Sequence, residues 1–354
     1  RDIVSTFRNV STKSDQAQER SDALAEASNG AEDIAGVHEQ VLGHRLGAVC
    51  SRYSADSVRV RVTARLVRSA SQQRGRVIVS SLGAAGDSGM GIPHNLLLLK
   101  NRCLQNFVDT LGTSDQTVTR NVVRAVPQTT ITAGGSLIGM AFGVDHRTLL
   151  PPFLPGFRNS DGVFALCAPI CDVHGYFAHL PFVVAHDPGE DRRWTRDDLW
   201  RGAGVLRFAD LLRNILATVG GTLGTSDDVA DRVVSLGLYL KMLGTQPPSV
   251  FHGLVRSHFV HLQHQRARRL EKVLAEHGHW NRPIVELVRR QMTQIETSLR
   301  SSTSELSDIG DGPPEARLGR AQRVLLRYGR LLEAWPTIVR HRAVACYEEA
   351  MAAR

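Results

Sequence analysis

Hydrophobic and polar positions follow two different periods along this 354-residue chain. After a polar opening stretch, apolar residues from Asp33 to Val49 fall on one helical face, and short β-type runs follow them. Beyond Arg192, apolar residues recur every three or four positions almost throughout, which is typical of amphipathic helices. The pattern therefore predicts an α/β part followed by an all-helical part.

In the first part, runs of β-branched residues predict strands over 58–62, 77–80, 122–126 and 129–138, and helical spacing predicts a helix over 92–111. Gly83–Gly91 is glycine-rich and predicts a flexible turn between a strand and a helix. The segment Asp145–Pro188 contains six prolines, each of which lacks a backbone donor. We expect a set of shaped loops there, with short strands such as Phe182–Ala185.

The second part carries several helix-boundary signals. Thr195–Asp198 resembles a capping box that opens a helix reaching Leu216, and Thr225–Asp228 opens another. The remaining boundaries follow from proline and glycine positions: the second helix ends near Gly244, a long helix runs from Ser249 to His277, the next begins at Pro283, and the last helices are interrupted at Trp335-Pro336.

These patterns give a domain division and a fold class. We predict a poorly ordered leading segment over 1–32, an α/β domain over 33–190 and an α-helical domain over 191–354. The predicted fold class is α/β, a mixed sheet with flanking helices followed by an all-α C-terminal region.

Composition and charge exclude several classes of protein. Hydrophobic residues make up 42% of the chain and charged residues 22%, so disorder throughout is excluded. The net charge is +8, but the arginines are dispersed among 35 acidic residues and no zinc finger or RNA-binding signature occurs. Nucleic acid is therefore not expected as a partner.

Cysteine usage and hydropathy indicate the compartment. Five cysteines are an odd number for a disulfide framework, and a reducing cytoplasm is the better fit. No run approaches the roughly 18 apolar residues that a membrane span needs, and the first residues lack the apolar region of a secretory signal. We expect a cytoplasmic protein without a membrane span.

Two short motifs have competing interpretations. Gly86-Asp87-Ser88-Gly89 is similar to the active-site segment of chymotrypsin-like proteases, but the helical second half excludes a two-barrel β fold. A turn or a ligand-contacting loop at a strand end remains. Cys167, Cys171 and His174 have the residue types of a zinc site, yet no second cysteine pair follows, which favours buried apolar cysteines over a metal-dependent hydrolase.

The segment from Asp145 to Phe164 is the most informative part of the sequence. It places Arg158, Asn159 and Asp161 between a proline-rich loop and a short apolar run. A carboxylate in such a position can act as a general base, and an arginine can hold a phosphate through two hydrogen bonds.

This segment, Arg158-Asn159-Ser160-Asp161-Gly162-Val163-Phe164, and the later strand that ends in His186 resemble the acceptor half of inverting GT-A-type glycosyltransferases, family 2 in particular. The resemblance covers roughly residues 75–190 and implies an incomplete GT-A-like mixed sheet. It implies that Asp161 is the general base for the acceptor hydroxyl and that His186 lies beside the metal. The expected substrate-binding residues are Asp87, Ser88, Gly89, Arg147, Arg158 and Asn159.

The resemblance also implies a cofactor and partners. It implies a divalent metal, Mg²⁺ or Mn²⁺, a nucleotide-sugar donor and a hydroxyl acceptor, in a reaction of the hexosyltransferase type. In that family an Asp-x-Asp holds the metal, and this sequence contains none. The chain begins with Arg1 rather than Met, so we expect the donor-binding half to precede it.

A different class of function stays open beside the enzyme. The leucine-striped helices after residue 190 carry no clustered chemistry, which is compatible with a non-catalytic helical scaffold or interaction protein that carries an α/β domain. The two hypotheses differ in whether Asp87, Asp161 and His186 meet at one cleft.

Overall fold

A computed structural model of the chain describes residues 33–52, 58–60, 64–87, 93–99, 104, 105, 107, 117–126, 128–134, 136, 137, 139–190, 192–219, 223, 226–277, 282–301, 306 and 308–352. The strands are β1 (Val58–Val60), β2 (Arg76–Gly86), β3 (Thr117–Thr119), β4 (Val122–Arg124), β5 (Thr129–Thr132), β6 (Phe142–Val144), β7 (Gly175–His186) and β8 (Arg193–Thr195). The helices are α1 (Ile34–Glu39), α2 (Leu46–Arg52), α3 (Ala64–Ser71), α4 (Ser160–Cys171), α5 (Asp198–Arg201), α6 (Phe208–Val219), α7 (Val229–Gly244), α8 (Pro248–His277), α9 (Arg282–Arg300) and α10 (Pro314–Ala352), and Pro93–Leu98 forms a 3₁₀-helix. None of the described helices is long and apolar enough to cross a membrane.

The main sheet is mixed, with the strand order β1-β5-β7-β2-β4, and β6 also pairs with β2. β2 and β7 are long parallel neighbours whose pairing runs from Arg76 opposite Gly175 to Gly86 opposite His186. On its other side β2 pairs antiparallel with β6 and, further along, with β4. Nine consecutive residues of β2 are buried, as expected of a central strand that is covered on both faces.

Helices cover the two faces of this sheet. On one face, Phe164 and Ala168 of α4 pack with Ile78 of β2 and Phe177 of β7. On the other face, a cluster that includes Val41 packs residues of α1 and α2 against alternate residues of the same strands. Successive side chains of a strand point to opposite faces, so Tyr176 and Phe177 belong to different clusters.

The helical part shares its core with α4. One cluster joins Val163 and Cys167 of α4 to buried residues of α6, α7, α8 and α10. A second cluster joins Leu96 and Phe107 to Trp194 and to buried residues of α8 and α9. Hydrophobic contacts therefore run across residue 190, and the domain boundary there stays a prediction.

Several predicted elements are confirmed. The helices α7, α8 and α9 lie where their boundary residues placed them. The capping box has both of its reciprocal bonds, since the backbone N–H of Asp198 donates to Thr195 Oγ1 at 3.3 Å and the N–H of Thr195 donates to Asp198 Oδ2 at 2.8 Å. The helix that it opens ends at Arg201, and the rest of the predicted helix is α6.

Other predictions are wrong, and glycine explains one of them. The helix predicted over 33–49 is two helices, because the backbone at Gly43 takes a φ of 72°, which is a left-handed conformation. The strand β2 extends to Gly86 and so includes the start of the glycine-rich segment. A side chain at Gly83 would collide with the carbonyl oxygen of Arg124 on β4, so glycine there permits close strand packing.

Three predictions that were based on proline are wrong. The segment expected to form loops contains the buried helix α4, with Pro169 inside it, and the strand β7, with Pro181 inside it. The final helix runs uninterrupted through Pro336. Each proline costs one backbone bond, and the extensive apolar burial of these elements outweighs that loss. The second part is also not wholly helical, because β8 pairs with β3.

The helices α7 and α10 approach closely at glycines, which generates a prediction. A Cβ at Gly237 would lie 2.6 Å from the carbonyl oxygen of Gly329 and 2.7 Å from the amide nitrogen of Glu333. Gly237→Ala should therefore lower the free energy of unfolding by about 1–3 kcal/mol through overpacking, as measured by urea denaturation.

The exposed helix residue Gly253 provides the matched control, because no atom lies within 4 Å of a Cβ placed there. Gly253→Ala should raise the free energy of unfolding by up to about 1 kcal/mol through helix propensity. Equal effects at the two positions would show that the close approach of α7 and α10 does not constrain residue 237.

Candidate functional site

The carboxyl ends of β2 and β7 lie side by side at one edge of the main sheet. Gly86 is paired with His186, and Asp87 follows Gly86 directly. Gly86 has a φ of 90°, and a side chain there would collide with the backbone of His186. Ligands of open α/β sheets bind beyond the carboxyl ends of strands, so this edge of the sheet is a candidate ligand-binding site.

Asp161 lies in the first turn of α4, the helix that precedes β7. At about 1.5 Å per helix residue and about 3.3 Å per strand residue, the 12 residues of α4 span about half the length of β7. Asp161 Oδ2 accepts a hydrogen bond from the N–H of Gly139 at 2.9 Å, and Oδ1 accepts one from the N–H of Gly162 at 2.8 Å. These two hydrogen bonds hold the carboxylate in a fixed orientation.

Arg124 connects Asp161 to β2. Burial lowers the pKa of the Arg124 guanidinium, the negative charge of Asp161 opposes that change, and the positive charge of Arg213 adds to it, so these charges lie within interaction range. The backbone of Arg124 pairs with Ala84. Asp161 is therefore linked through Arg124 to the part of β2 that pairs with β4.

Asp87 is buried in an ion-paired arrangement. Its carboxylate oxygen Oδ2 lies 2.7 Å from Arg192 Nε and 3.3 Å from Arg120 Nε. Arg120 in turn lies over the ring of Trp194, with 5.6 Å between the guanidinium carbon and the ring centroid. Asp87 thus joins the main sheet to the small sheet of β3 and β8, and its carboxylate already has two cationic partners.

His186 is half-buried, and its Nδ1 is a buried atom without a hydrogen-bond partner among the described residues. Such an atom can accept a ligand or a metal. Within the described part of the chain, however, no group of three His, Cys, Asp or Glu side chains is placed to hold a metal ion. The described residues supply one candidate ligand, His186, and do not complete a metal site.

The remaining residues predicted from the sequence lie in three different settings. Arg147 is largely exposed and donates from Nε to Asp145 Oδ1 at 2.7 Å, next to the turn at Gly43 and away from the strand ends. Asn159 precedes α4 in a left-handed conformation and donates from Nδ2 to Asp210 at 3.1 Å, and Arg158 is exposed beside it. Ser88 and Gly89 lie outside the described residues.

A cleft that the sequence did not indicate lies between β2, β7 and the segment around Ser136, and Asp87, Asp161 and His186 are not among its lining residues. It has a volume of about 150 Å³. Its polar lining comes from Ser81, Arg124, Ser136 and His179, and its apolar lining includes Leu137. The loop that carries Ser136 and Leu137 continues to Gly139, whose N–H binds Asp161. The sequence feature that could have indicated the cleft is His179, a histidine within the otherwise apolar first half of β7.

Ser81, His179 and Thr132 form a buried hydrogen-bonded chain across three strands. Ser81 Oγ lies 2.9 Å from His179 Nδ1, and Thr132 Oγ1 lies 3.1 Å from Nε2. Burial lowers the pKa of His179 to about 4, so the ring is neutral at pH 7. A neutral imidazole has one donor and one acceptor, which these two hydroxyls satisfy.

The cysteines of the zinc hypothesis are buried in the core. Cys167 and Cys171 are inaccessible, and burial raises the pKa of the Cys167 thiol to about 12. Its sulfur contacts the hydroxyl of Tyr328 at 3.8 Å. His174 lies with Nδ1 at 3.2 Å from Ser69 Oγ. A thiol in this environment stays protonated and packs as an apolar group.

Comparisons of the chain with protein families, with curated proteins and with solved structures found no match. The function is therefore inferred from the geometry of the carboxyl ends of β2 and β7, of Asp161 and of the cleft.

The low pKa of His179 predicts an acid-sensitive fold. Its folded pKa of about 4 lies below the ordinary value of 6.5, so the unfolded chain binds a proton first as the pH falls. The stabilising contribution is complete above about pH 6.5 and is lost towards pH 4. Between pH 7 and pH 4.5 it falls by about 2–3 kcal/mol, measurable by urea denaturation.

His179→Gln removes the titrating group and should reduce this acid-induced loss by about that amount. His146→Gln, at an exposed histidine, should leave the loss unchanged. If the two variants and the unmodified chain lose the same stability on acidification, His179 does not have the lowered pKa.

Proposed function

We propose that this chain carries the acceptor side of an inverting glycosyltransferase with a GT-A-like fold. The enzyme moves a sugar from a nucleotide-sugar donor to a hydroxyl acceptor, and Asp161 is its general base. The observation that supports the proposal is the ordered carboxylate of Asp161 in the first turn of α4, which accepts the N–H groups of Gly139 and Gly162.

The proposed chemistry requires a carboxylate that can accept one proton. The acceptor oxygen attacks the anomeric carbon, its proton passes to Asp161, and the bond from that carbon to the diphosphate breaks with its electron pair leaving on the diphosphate. Each oxygen of an ionised carboxylate has two acceptor positions. Gly139 and Gly162 occupy one position on each oxygen, so each oxygen keeps one for the acceptor proton.

In this proposal, fewer residues of the chain would contact the nucleotide-sugar donor than the acceptor. The divalent metal, Mg²⁺ or Mn²⁺, would neutralise charge on the departing diphosphate. His186 is the described residue with a nitrogen to offer to it, through the unpartnered Nδ1. Arg158 is exposed in the loop before α4 and would contact an anionic part of a substrate. The remaining metal ligands would come from a donor-binding half.

The scaffold hypothesis has an observation of its own. Asp161 fixes the loop at Gly139 to the first turn of α4, and Asp87 joins two sheets through arginines. Both carboxylates therefore have structural functions that need no substrate. The two hypotheses make different predictions for the loss of the Asp161 charge.

Asp161→Asn tests the proposal because it removes the base with little change in size. With uridine-, guanosine- and adenosine-diphosphate sugars, Mg²⁺ or Mn²⁺ and methyl glycosides as acceptors, release of nucleoside diphosphate should fall on the order of 10²–10⁴-fold in kcat. The KM for the nucleotide-sugar should stay the same, because Asp161 contacts the acceptor.

Asp172→Asn is the matched control at the other end of α4. Asp172 is also an ordered carboxylate that accepts a backbone N–H, from His174 at 2.8 Å, and it lies away from the candidate site. This variant should lower stability and keep its turnover. In an enzyme that includes the donor-binding half, equal turnover in the two variants would contradict the proposal.

A further inference from the structure

The size of the cleft limits what it can hold. A cavity of about 150 Å³ lined by apolar side chains accommodates benzene, a single six-membered ring. This cleft has the same volume but is open to solvent, and hydroxyl, imidazole and guanidinium groups form part of its lining. The ring of a pyranose fits this volume, its substituents extend through the open side, and its hydroxyls match the mixed lining.

Hydrogen bonding by Ser81 favours a hydroxyl partner over an anion. If His179 Nδ1–H donates to Ser81 Oγ, the serine proton is free to point into the cleft. In the other tautomer, Ser81 donates to Nδ1 and its oxygen offers a lone pair to the cleft. A sugar hydroxyl both donates and accepts, so it satisfies Ser81 in either state. A phosphate oxygen accepts only.

The charges around the cleft come from two arginines and one carboxylate. Arg124 is the cationic side chain in the lining, and both Asp161 and Arg213 interact with it electrostatically. His179 is neutral at pH 7 because burial lowers its pKa to about 4. Charge alone does not exclude an anion, so the binding test includes inorganic phosphate.

We infer that the cleft lined by Ser81, Ser136, Arg124 and His179 is the pocket for a pyranose ring of the acceptor. Ring binding requires only the cleft, whereas its identification as the acceptor depends on the proposed function. Ser81 binds a ring hydroxyl, and His179 is a positioning residue that orients the serine hydroxyl. Arg124 and the loop from Ser136 to Gly139 place the ring beside Asp161.

The chain contains a matched control for Ser81. Its neighbour Ser80 is equally buried, and Ser80 Oγ lies 2.7 Å from Nδ1 of another buried histidine, His38. The cleft is lined by Ser81 and His179, whereas Ser80 pairs with His38 of α1 on the opposite face of the sheet. Alanine at either position removes one buried serine–histidine hydrogen bond, but only alanine at 81 changes the cleft.

Ligand-observed NMR titration with methyl glucopyranoside, methyl galactopyranoside and methyl mannopyranoside tests the inference without a donor. The unmodified chain should bind at least one glycoside. Ser81→Ala should weaken its Kd about tenfold or more, which corresponds to the loss of one hydrogen bond. Ser80→Ala should bind as the unmodified chain does, although both variants lose stability.

Three results would overturn the inference: no binding of any glycoside, equal weakening by the two alanine variants, or displacement of the glycoside by inorganic phosphate. The outcome is separable from that of the proposed function. Glycoside binding that depends on Ser81, in a chain whose turnover ignores Asp161→Asn, would retain the pocket and reject the transferase. The reverse pattern would retain the transferase and reject the pocket.

Discussion

The parallel pairing of β2 with β7 determines where every other described element of the sheet lies. These two strands have 11 and 12 residues, whereas the other described strands have three or four. β4 and β6 attach to the free side of β2, and β5 attaches to that of β7. Parallel neighbours need a crossover, and here its last part is α4. This helix packs on both long strands, with Phe164 and Ala168 against Ile78 of β2 and Phe177 of β7.

A break in this pairing gives the cleft its position. The register passes from Ser81 opposite His179 to Gly83 opposite Val183, so β7 has two more residues than β2 at this point. Pro181 lies in the extra stretch and cannot donate a backbone hydrogen bond. Bulges of this kind redirect side chains and recur beside active sites. The lining residues Leu82 and Leu180 flank the break.

The sequence predicted the elements whose signals are local and missed those that depend on packing. Capping and proline boundaries located α7, α8 and α9, whereas the helix that begins at Ser160 lies in a segment that was expected to form loops. The prolines at 169, 181 and 336 were interpreted as breaks, because their cost is local whereas the burial that outweighs it comes from distant residues. The cleft has no local signal, since its lining combines β2, β7 and the loop at Ser136.

Asp87, Asp161 and His186 differ in how many hydrogen-bond positions they have left for a ligand. The Asp87 carboxylate already has Arg120 and Arg192, so binding a substrate would mean breaking ion pairs inside the protein. Asp161 keeps one acceptor position on each oxygen, and His186 keeps a buried nitrogen without a partner among the described residues. A buried polar atom left unpaired costs about 1–3 kcal/mol, a cost that a bound ligand can remove. The proposed reaction therefore uses Asp161 and His186 and leaves Asp87 in place.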